Sequence, residues 1–428
     1  MDIYNLISFL GIFVLMALAW VLSRNRMRMN FRAIGWGVGL QLILGMLVFW
    51  APPSRRVFAW LNDAVVTLLD ASQAGQRFLF GPLADSAKTG GFVLALQALP
   101  TIIFFTAVMG LLYYWRIMPL VVRGFAWLFT RLMRVSGAES LCTAANIFVG
   151  IESAATVRPY LARMTRSEFC TILTAGLATV ASSTMAVYVG FLRDVFPGIA
   201  GHLISASILS APAAIVMSKI LYPEDGAPET LGRSVPPYAE RESSATEAVV
   251  SGAMAGVQLV LGICALLVAF LGMIALVDLA LGWVGSKTGL DAYLAAGTTA
   301  HEPLSLKMLL AYVFKPISFV MGVPWQDSQV AGELLGERLV ATEVPAYYHL
   351  ADAIKAGTFV HPRSQVLIAY ALCGFSHVAS LAIFVGGIAA LVPDRRKDLA
   401  SVGPRALLAA TLACLQTGAI AGTFFLTP

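Results

Sequence analysis

Three ionisable residues stand within strongly apolar parts of the sequence. Glu152 and Glu343 each interrupt an apolar segment, and His377 lies near the centre of residues 364–393, a stretch without formal charge. A carboxylate at membrane depth is costly and usually faces a cavity or a partner. It can accept hydrogen bonds from sugar hydroxyls or carry a proton, and histidine titrates near physiological pH. The three residues are therefore candidates for a binding site.

Structural roles for the same residues stay open at this point. The glutamates could form ion pairs with Arg158 or Arg338, or lie at a membrane surface. His377 could hydrogen-bond only to a neighbouring helix. Small polar residues within apolar stretches often bond to their own backbone, so Asn146, Thr179 and Ser380 carry little weight alone.

The surrounding sequence is that of a membrane protein. Of its 428 residues, 58% are hydrophobic and only 12% are charged, whereas soluble domains carry about 25% charged residues. A membrane helix needs roughly 20 mostly apolar residues. Only helices and closed β-barrels can cross lipid, because both satisfy their backbone hydrogen bonds internally. Barrel strands would be short segments in which apolar and polar residues alternate. We predict eight membrane helices, in residues 3–23, 33–54, 92–115, 169–192, 195–218, 248–277, 364–393 and 406–428.

Basic residues cluster beside the ends of the predicted spans. The clusters fall in residues 24–32, 116–134 and 395–405. With eight crossings they share one face, which the positive-inside rule assigns to the cytoplasm. Both termini are then outside, and the acidic segment 222–247 is inside. The first span lacks a positive leader and a small-residue cleavage site, so we do not interpret it as a signal peptide.

Two apolar segments cannot cross lipid as plain helices. Residues 136–159 and 306–347 contain charges and predict re-entrant hairpins or broken helices. Each precedes a related motif, GLATVAS at 176–182 and GFSHVAS at 374–380, in the middle of a predicted span. Helices broken at mid-membrane free backbone groups that can bind a substrate and a coupling ion, so this repeat indicates a transporter site. Residues 58–69 predict an interfacial helix.

Several short segments together resemble the concentrative nucleoside transporter family. They cover nearly the whole chain in order: FLFG (78–81), PTIIFF (100–105), ANIFVG (145–150) with Glu152, VRP (157–159), GVPW (322–325), VAGE (330–333), ATE (341–343) and ALCGF (371–375). The resemblance implies a homotrimer that couples nucleoside import to a sodium or proton gradient, with a scaffold and a mobile transport domain.

The resemblance also implies roles for individual residues. Those expected to face the ribose are Glu343, His377 and Ser380. Those expected on the nucleobase side are Glu152, Thr184 and Phe375. A sodium site would take side chains from Asn146 and Thr179 and backbone carbonyls from Val149 and Val180.

The chain departs from the family pattern at the expected binding site. The usual hairpin tip GQTEAP is replaced by GIESAA at 150–155, so that the glutamate comes one residue earlier. His377 and Thr342 stand where asparagines are usual. These changes affect the contacts expected for the base, and His377 leaves proton coupling open.

We therefore predict an all-α integral membrane protein with about eight membrane helices, two re-entrant hairpins, and an inverted-repeat transport domain plus scaffold. The expected parts are residues 1–90 (first spans and interfacial helix), 91–222 (third span, first hairpin and first repeat), 223–247 (polar linker), 248–300 (scaffold span) and 301–428 (second hairpin and second repeat).

The predicted activity is ion-coupled nucleoside import by alternating access, in a bacterial inner membrane. Alternatives are a proton symporter for a modified nucleoside or another polar solute, and a passive channel or membrane-embedded structural subunit. No enzyme motif (HExxH, GxSxG or Walker A) is present, no cofactor is expected, and the five scattered cysteines form no CxxC pair.

Overall fold

The computed structural model describes residues 2–89, 91–238, 242–289 and 304–426, and within these ranges its regular elements are helices. A single antiparallel bridge, Ser136 to Leu231, is the only β-type pairing there. The longer helices are α1 (Ile3–Val21), α2 (Phe31–Trp50), α3 (Pro52–Phe80), α4 (Pro100–Tyr114), α5 (Ile117–Met133), α6 (Gly137–Asn146), α7 (Arg166–Ala178), α8 (Ser182–Leu192), α9 (Ile199–Leu221), α10 (Ala245–Thr288), α11 (Leu306–Met321), α12 (Ser328–Val340), α13 (Glu343–Lys355), α14 (Pro362–Leu372), α15 (Val378–Leu391) and α16 (Arg396–Phe424). Shorter helical turns are Gly81–Ala84, Ser86–Thr89, Leu94–Gln97, Ile151–Val157, Arg158–Leu161 and Pro393–Arg395.

Seven helical stretches of the described chain are long and apolar enough to cross a membrane. They correspond to seven of the eight predicted spans, which confirms an all-helical membrane protein. The eighth, residues 364–393, divides into α14 and α15 at the break that the repeated motif predicted, just as residues 169–192 divide into α7 and α8. Helices α14 and α15 have 11 and 14 residues, too few for either to cross alone.

The predicted basic clusters gather at one end of the molecule, called here the basic end. Arg24 donates its backbone N–H to the carbonyl of Leu221 (3.0 Å), and Arg32 Nε donates to the carbonyl of Leu132 (3.2 Å). Arg395 reaches the loop before α7, where Nη2 donates to the Met164 carbonyl (2.8 Å).

The start of α1 and the end of α16 meet at the opposite end. Asn5 Nδ2 donates to the carbonyl of Thr423 (3.0 Å), and Trp50 Nε1 donates to the carbonyl of Phe424 (2.9 Å). The two ends of the molecule are therefore defined by hydrogen bonds between distant parts of the chain.

Two helix pairs are interrupted where the repeated motif predicted a break. The chain leaves helical geometry between α7 and α8 and again between α14 and α15. The pairs run in opposite directions. Arg166 begins α7 at the basic end, where its Nε lies 2.7 Å from Asp398 Oδ1, whereas Arg363 near the start of α14 donates to Asn5 Oδ1 (3.1 Å) at the other end.

The two breaks touch each other at the centre of the fold. The Cys414 thiol of α16 lies 3.7 Å from the carbonyl oxygen of Ala178 and 3.5 Å from that of Cys373, and it can donate to either. Gly374 lies between them with φ +155°, and a Cβ there would come within 2.6 Å of Cys414 Sγ and 2.8 Å of the Ala178 oxygen. Only glycine fits this close approach without displacing a neighbour.

Each break is preceded by a helical hairpin. The first comprises α6 and the turns that follow it. The second comprises α12 and α13, and it ends at Lys355 rather than within the predicted segment 306–347, whose first part is the separate helix α11. A serine capping box begins α6: Ser136 Oγ accepts from the Glu139 N–H while Glu139 Oε1 accepts from the Ser136 N–H.

Three further parts frame these hairpins. Helix α3 is longer than the predicted interfacial helix 58–69, and α5 was not predicted. The linker after α9 runs along the basic end, where Gly137 donates its N–H to the Thr230 carbonyl (2.9 Å) and Tyr238 donates to the Thr156 carbonyl (2.8 Å). The expected boundary between residues 300 and 301 lies outside the described residues.

Candidate substrate and ion site

A cavity of about 1350 Å³ lies between the hairpins on one side and helices α4 and α10 on the other. All six predicted substrate-binding residues line this cavity: Glu152, Thr184, Glu343, Phe375, His377 and Ser380. Arg116, Arg123 and Tyr238 of the basic end also line it, and all three are exposed or partly exposed. The cavity therefore extends from the helix breaks towards the basic end.

Glu343 begins α13 at the tip of the second hairpin and is almost fully buried. Its Oε1 accepts a hydrogen bond from the Tyr188 hydroxyl (2.7 Å), and its Oε2 lies 2.9 Å from His377 Nε2. Oε2 receives no hydrogen bond of good geometry from the described residues. The carboxylate is thus held by one repeat through Tyr188 and by the other through His377, and it can still accept from a ligand.

His377 caps the second half of the broken helix. Its Nδ1 accepts from the Ser380 N–H (3.2 Å), and its Nε2 lies 2.8 Å from Ser380 Oγ. A backbone N–H can only donate, so Nδ1 must be unprotonated while this cap is formed. We infer that neutral His377 carries its proton on Nε2, where it faces Glu343.

Glu152, Thr184 and Phe375 lie on other parts of the same cavity wall. Glu152 is in the helical turn after α6 and is exposed to the cavity, Thr184 is in the first turn of α8, and Phe375 is in the second break. The Ser182 N–H donates to the Phe148 carbonyl (3.0 Å), which fixes the first hairpin against the first break. The cavity wall combines aromatic rings such as Phe375 and Phe148 with a few polar groups, as small-molecule sites do.

Three helices begin at the cavity wall. They are α8, α13 and α15, whose first-turn residues Thr184, Glu343 and Ser380 line it. Helix N-termini carry partial positive charge and free N–H groups. This arrangement stabilises the carboxylate of Glu343 and favours electron-rich ligand atoms.

The four residues predicted to bind sodium lie close together beside the first break. Asn146 and Thr179 are buried, and Thr179 Oγ1 lies 2.9 Å from the carbonyl oxygens of both Asn146 and Ala175, so it can donate to either. Asn146 Nδ2 donates to the Cys142 carbonyl (3.1 Å), while its Oδ1 has no partner among the described residues. Val149 lines the cavity, and the Val180 carbonyl accepts a long hydrogen bond (3.4 Å) from Ser207 Oγ.

These atoms are chemically suited to sodium. They are amide, hydroxyl and carbonyl oxygens, which hard cations prefer. The unpartnered Oδ1 of Asn146 is a buried acceptor, and such atoms normally have a partner. In the described chain, no group of three or more His, Cys, Asp or Glu residues could hold a metal ion.

The sequence did not predict the roles of two supporting residues, Tyr188 and Arg338. Tyr188 stacks on Tyr347 with ring centroids 4.4 Å apart, and this stacking fixes the hydroxyl that donates a hydrogen bond to Glu343. Its signal was weak: one tyrosine within the apolar run that follows the repeated motif. Arg338, considered above as a partner for a glutamate, is fully buried and instead donates through Nη1 to the Ala371 carbonyl at the end of α14.

Comparison with known proteins gives a consistent assignment. Three family models match: Na+ dependent nucleoside transporter N-terminus at residues 10–83, nucleoside recognition (Gate) at 95–194, and Na+ dependent nucleoside transporter C-terminus at 202–422. The chain belongs to the concentrative nucleoside transporter family.

Individual members of this family agree over almost the whole chain. Solute carrier family 28 member 3 of Mus musculus is 36% identical over 99% of this chain, which spans 59% of the length of that relative. An uncharacterized transporter of Haemophilus influenzae is 34% identical, with 97% of both chains covered. The structure of CNTnw in an inward-facing substrate-bound state superimposes with a TM-score of 0.86 at 34% identity, covering 98% of both chains.

Proposed function

We propose that this protein imports nucleosides into a bacterial cell, coupled to sodium entry, by alternating access. The observation that carries the proposal is the Glu343 carboxylate. It is buried in the cavity between two breaks of opposite direction, and its Oε2, 2.9 Å from His377 Nε2, can still accept from a sugar hydroxyl. The family membership supports a nucleoside as substrate.

Sodium is favoured over a proton as the coupling ion. The Asn146 and Thr179 oxygens supply a neutral donor set at the first break. His377, the titratable alternative, accepts a backbone hydrogen bond through Nδ1. Protonated Nδ1 could not accept from the Ser380 N–H, so α15 would lose its cap. A coupling proton on His377 would therefore disturb the cavity wall that binds the substrate.

The division of the chain follows from this mechanism. The hairpins and broken helices of residues 91–222 and 301–428 would form the moving domain around an inverted repeat, with α4 and the segment 248–300 belonging to the scaffold. The broken α14–α15 pair would count as the eighth crossing. A homotrimer, with contacts along the largely exposed α10, is the assembly we expect.

The membrane orientation follows from the basic end. Arg24, Arg32 and Arg395 lie there, which the positive-inside rule assigns to the cytoplasm. Both termini would then be outside, and the cavity would open inward. The bacterial relative supports the plasma membrane as the location.

Uridine uptake into proteoliposomes tests the proposal directly. Radiolabelled uridine would be supplied with an inward sodium gradient, an inward proton gradient or neither. Accumulation driven by sodium is the expected result. Accumulation driven only by protons would overturn the sodium assignment, and folded protein that takes up no nucleoside under any gradient would overturn the substrate assignment.

A further inference from the structure

Tyr113 carries a buried hydroxyl that the rest of the described chain does not satisfy. The residue lies in the last turn of α4 and lines the cavity, yet its Oη has no hydrogen-bond partner among the described residues. Buried tyrosine hydroxyls usually have a partner. An unpartnered hydroxyl at a cavity wall is what a site for a polar ligand would leave free.

Helix α4, which carries Tyr113, is packed tightly against α10. Gly252 and Gly256 of α10 face α4 closely. A Cβ at Gly252 would lie 2.5 Å from the Thr106 carbonyl oxygen, and a Cβ at Gly256 would lie 2.2 Å from Thr106 Oγ1. Gly110, one turn before Tyr113, is equally close to α10, since a Cβ there would lie 2.5 Å from the Ala248 oxygen. Such contacts between small residues hold membrane helices together. Tyr113 is thus fixed to α10 rather than to the hairpins.

The first hairpin contributes a carboxylate to the same cavity. Glu152 and Tyr113 both line it, and the charge of Glu152 acts on the Tyr113 hydroxyl. A carboxylate only accepts hydrogen bonds, whereas a phenol can donate and accept. Together, Tyr113 and Glu152 could form hydrogen bonds with a planar ligand edge that carries both a donor and an acceptor, as the edge of a nucleobase does.

We propose that Tyr113 is a specificity-determining residue that hydrogen-bonds the polar edge of the nucleobase while the cavity opens to the basic end. The assignment rests on the proposed nucleoside transport. Glu152 moves with the hairpin, but Tyr113 stays with α4 and α10. The contact therefore forms in the conformation described here and is broken when the hairpins carry the substrate to the opposite face.

Because Tyr113 stays with α4 and α10 while the hairpins move, it should affect the KM for substrate that enters from one face of the membrane only. Losing one neutral hydrogen bond weakens binding by roughly three- to tenfold. Substrate that enters from the basic end meets Tyr113 in the binding conformation, so its KM should rise by that factor in Tyr113→Phe. Substrate that binds from the opposite face meets the hairpins away from Tyr113, so its KM should stay within about twofold of the wild-type value.

The experiment compares uridine transport in right-side-out and inverted membrane vesicles that contain wild type, Tyr113→Phe or Tyr312→Phe. The control makes the same chemical change at an exposed tyrosine of α11 outside the cavity. A KM increase confined to vesicles that present the basic end, together with wild-type thermal stability and a normal control, is expected. Equal KM values for wild type and Tyr113→Phe on both faces, or equal increases on both faces, would overturn the inference.

The two proposals fail in different ways. If wild-type vesicles transport no nucleoside in either direction, the proposed function itself fails. If wild type transports uridine and Tyr113→Phe matches it, only the role of Tyr113 fails. If Tyr113→Phe is unstable, Tyr113→His replaces it, because histidine keeps a polar group on an aromatic ring. The KM of Tyr113→His from the basic end should fall between those of wild type and Tyr113→Leu. Equal KM values for Tyr113→His and Tyr113→Leu would overturn the role.

Discussion

Replacing Glu343 with glutamine removes a charge from the cavity at nearly constant side-chain size. In the structure, Oε1 accepts from Tyr188 at 2.7 Å, and Oε2 lies 2.9 Å from His377 Nε2 with capacity for a further donor. A hydrogen bond to a charged acceptor contributes about 1.5–3 kcal/mol, against about 0.5–1.5 kcal/mol for a neutral one. Ribose hydroxyls that share this carboxylate would therefore bind more weakly to the variant.

Because glutamine keeps a neutral acceptor, the expected loss for each ribose hydrogen bond is the difference, about 1–1.5 kcal/mol, or roughly five- to tenfold in affinity. Equilibrium binding of uridine to purified protein measures it without reference to turnover, and uptake should fall in parallel. Glu333→Gln is the matched control, since Glu333 does not line the cavity and contacts Gln329 on its own helix. Wild-type binding and uptake by a folded Glu343→Gln protein would refute the role of the carboxylate.

Three further outcomes follow from the site. His377→Ala should cost about 1 kcal/mol of stability through the lost cap to Ser380 and should weaken binding, whereas His377→Asn restores a capping oxygen and should keep most stability; equal melting temperatures would contradict the cap. Asn146→Leu removes the unpartnered Oδ1, so the sodium concentration for half-maximal uptake should rise strongly, and an unchanged sodium curve would exclude Asn146 from the ion site. Gly374→Ala forces a Cβ to within 2.6 Å of Cys414 Sγ, so low yield or a lower melting temperature is expected; wild-type stability would show that the break can relax.

Much of the fold was predictable because membrane spans are defined by composition. Lipid excludes charge and unsatisfied backbone, so stretches such as residues 33–54 and 195–218 identify themselves by length and apolarity. The repeated motif also located both breaks, since polar residues within an apolar span need a partner. Helix α5 was missed because Arg123 and Arg131 interrupt its apolar run in the sequence, although both are exposed and lie off the buried face that Val122 and Phe129 form.

The candidate site was predictable as a set of residues but not as a geometry. All six substrate candidates line one cavity, and they were found through resemblance to a family as well as through their polar character. Resemblance gives positions and expected roles. It does not give the tautomer of His377, which follows from the direction of one backbone N–H.

The sequence by itself determined that this chain spans a membrane, where it is interrupted, and which family it resembles. These properties depend on local composition and order along the chain. Only the tertiary structure decided what meets at the interruptions. Tyr188 reaches Glu343 across 155 positions, and Tyr113 faces the cavity from a helix fixed to α10. Such contacts arise from packing between distant helices, which no local pattern specifies.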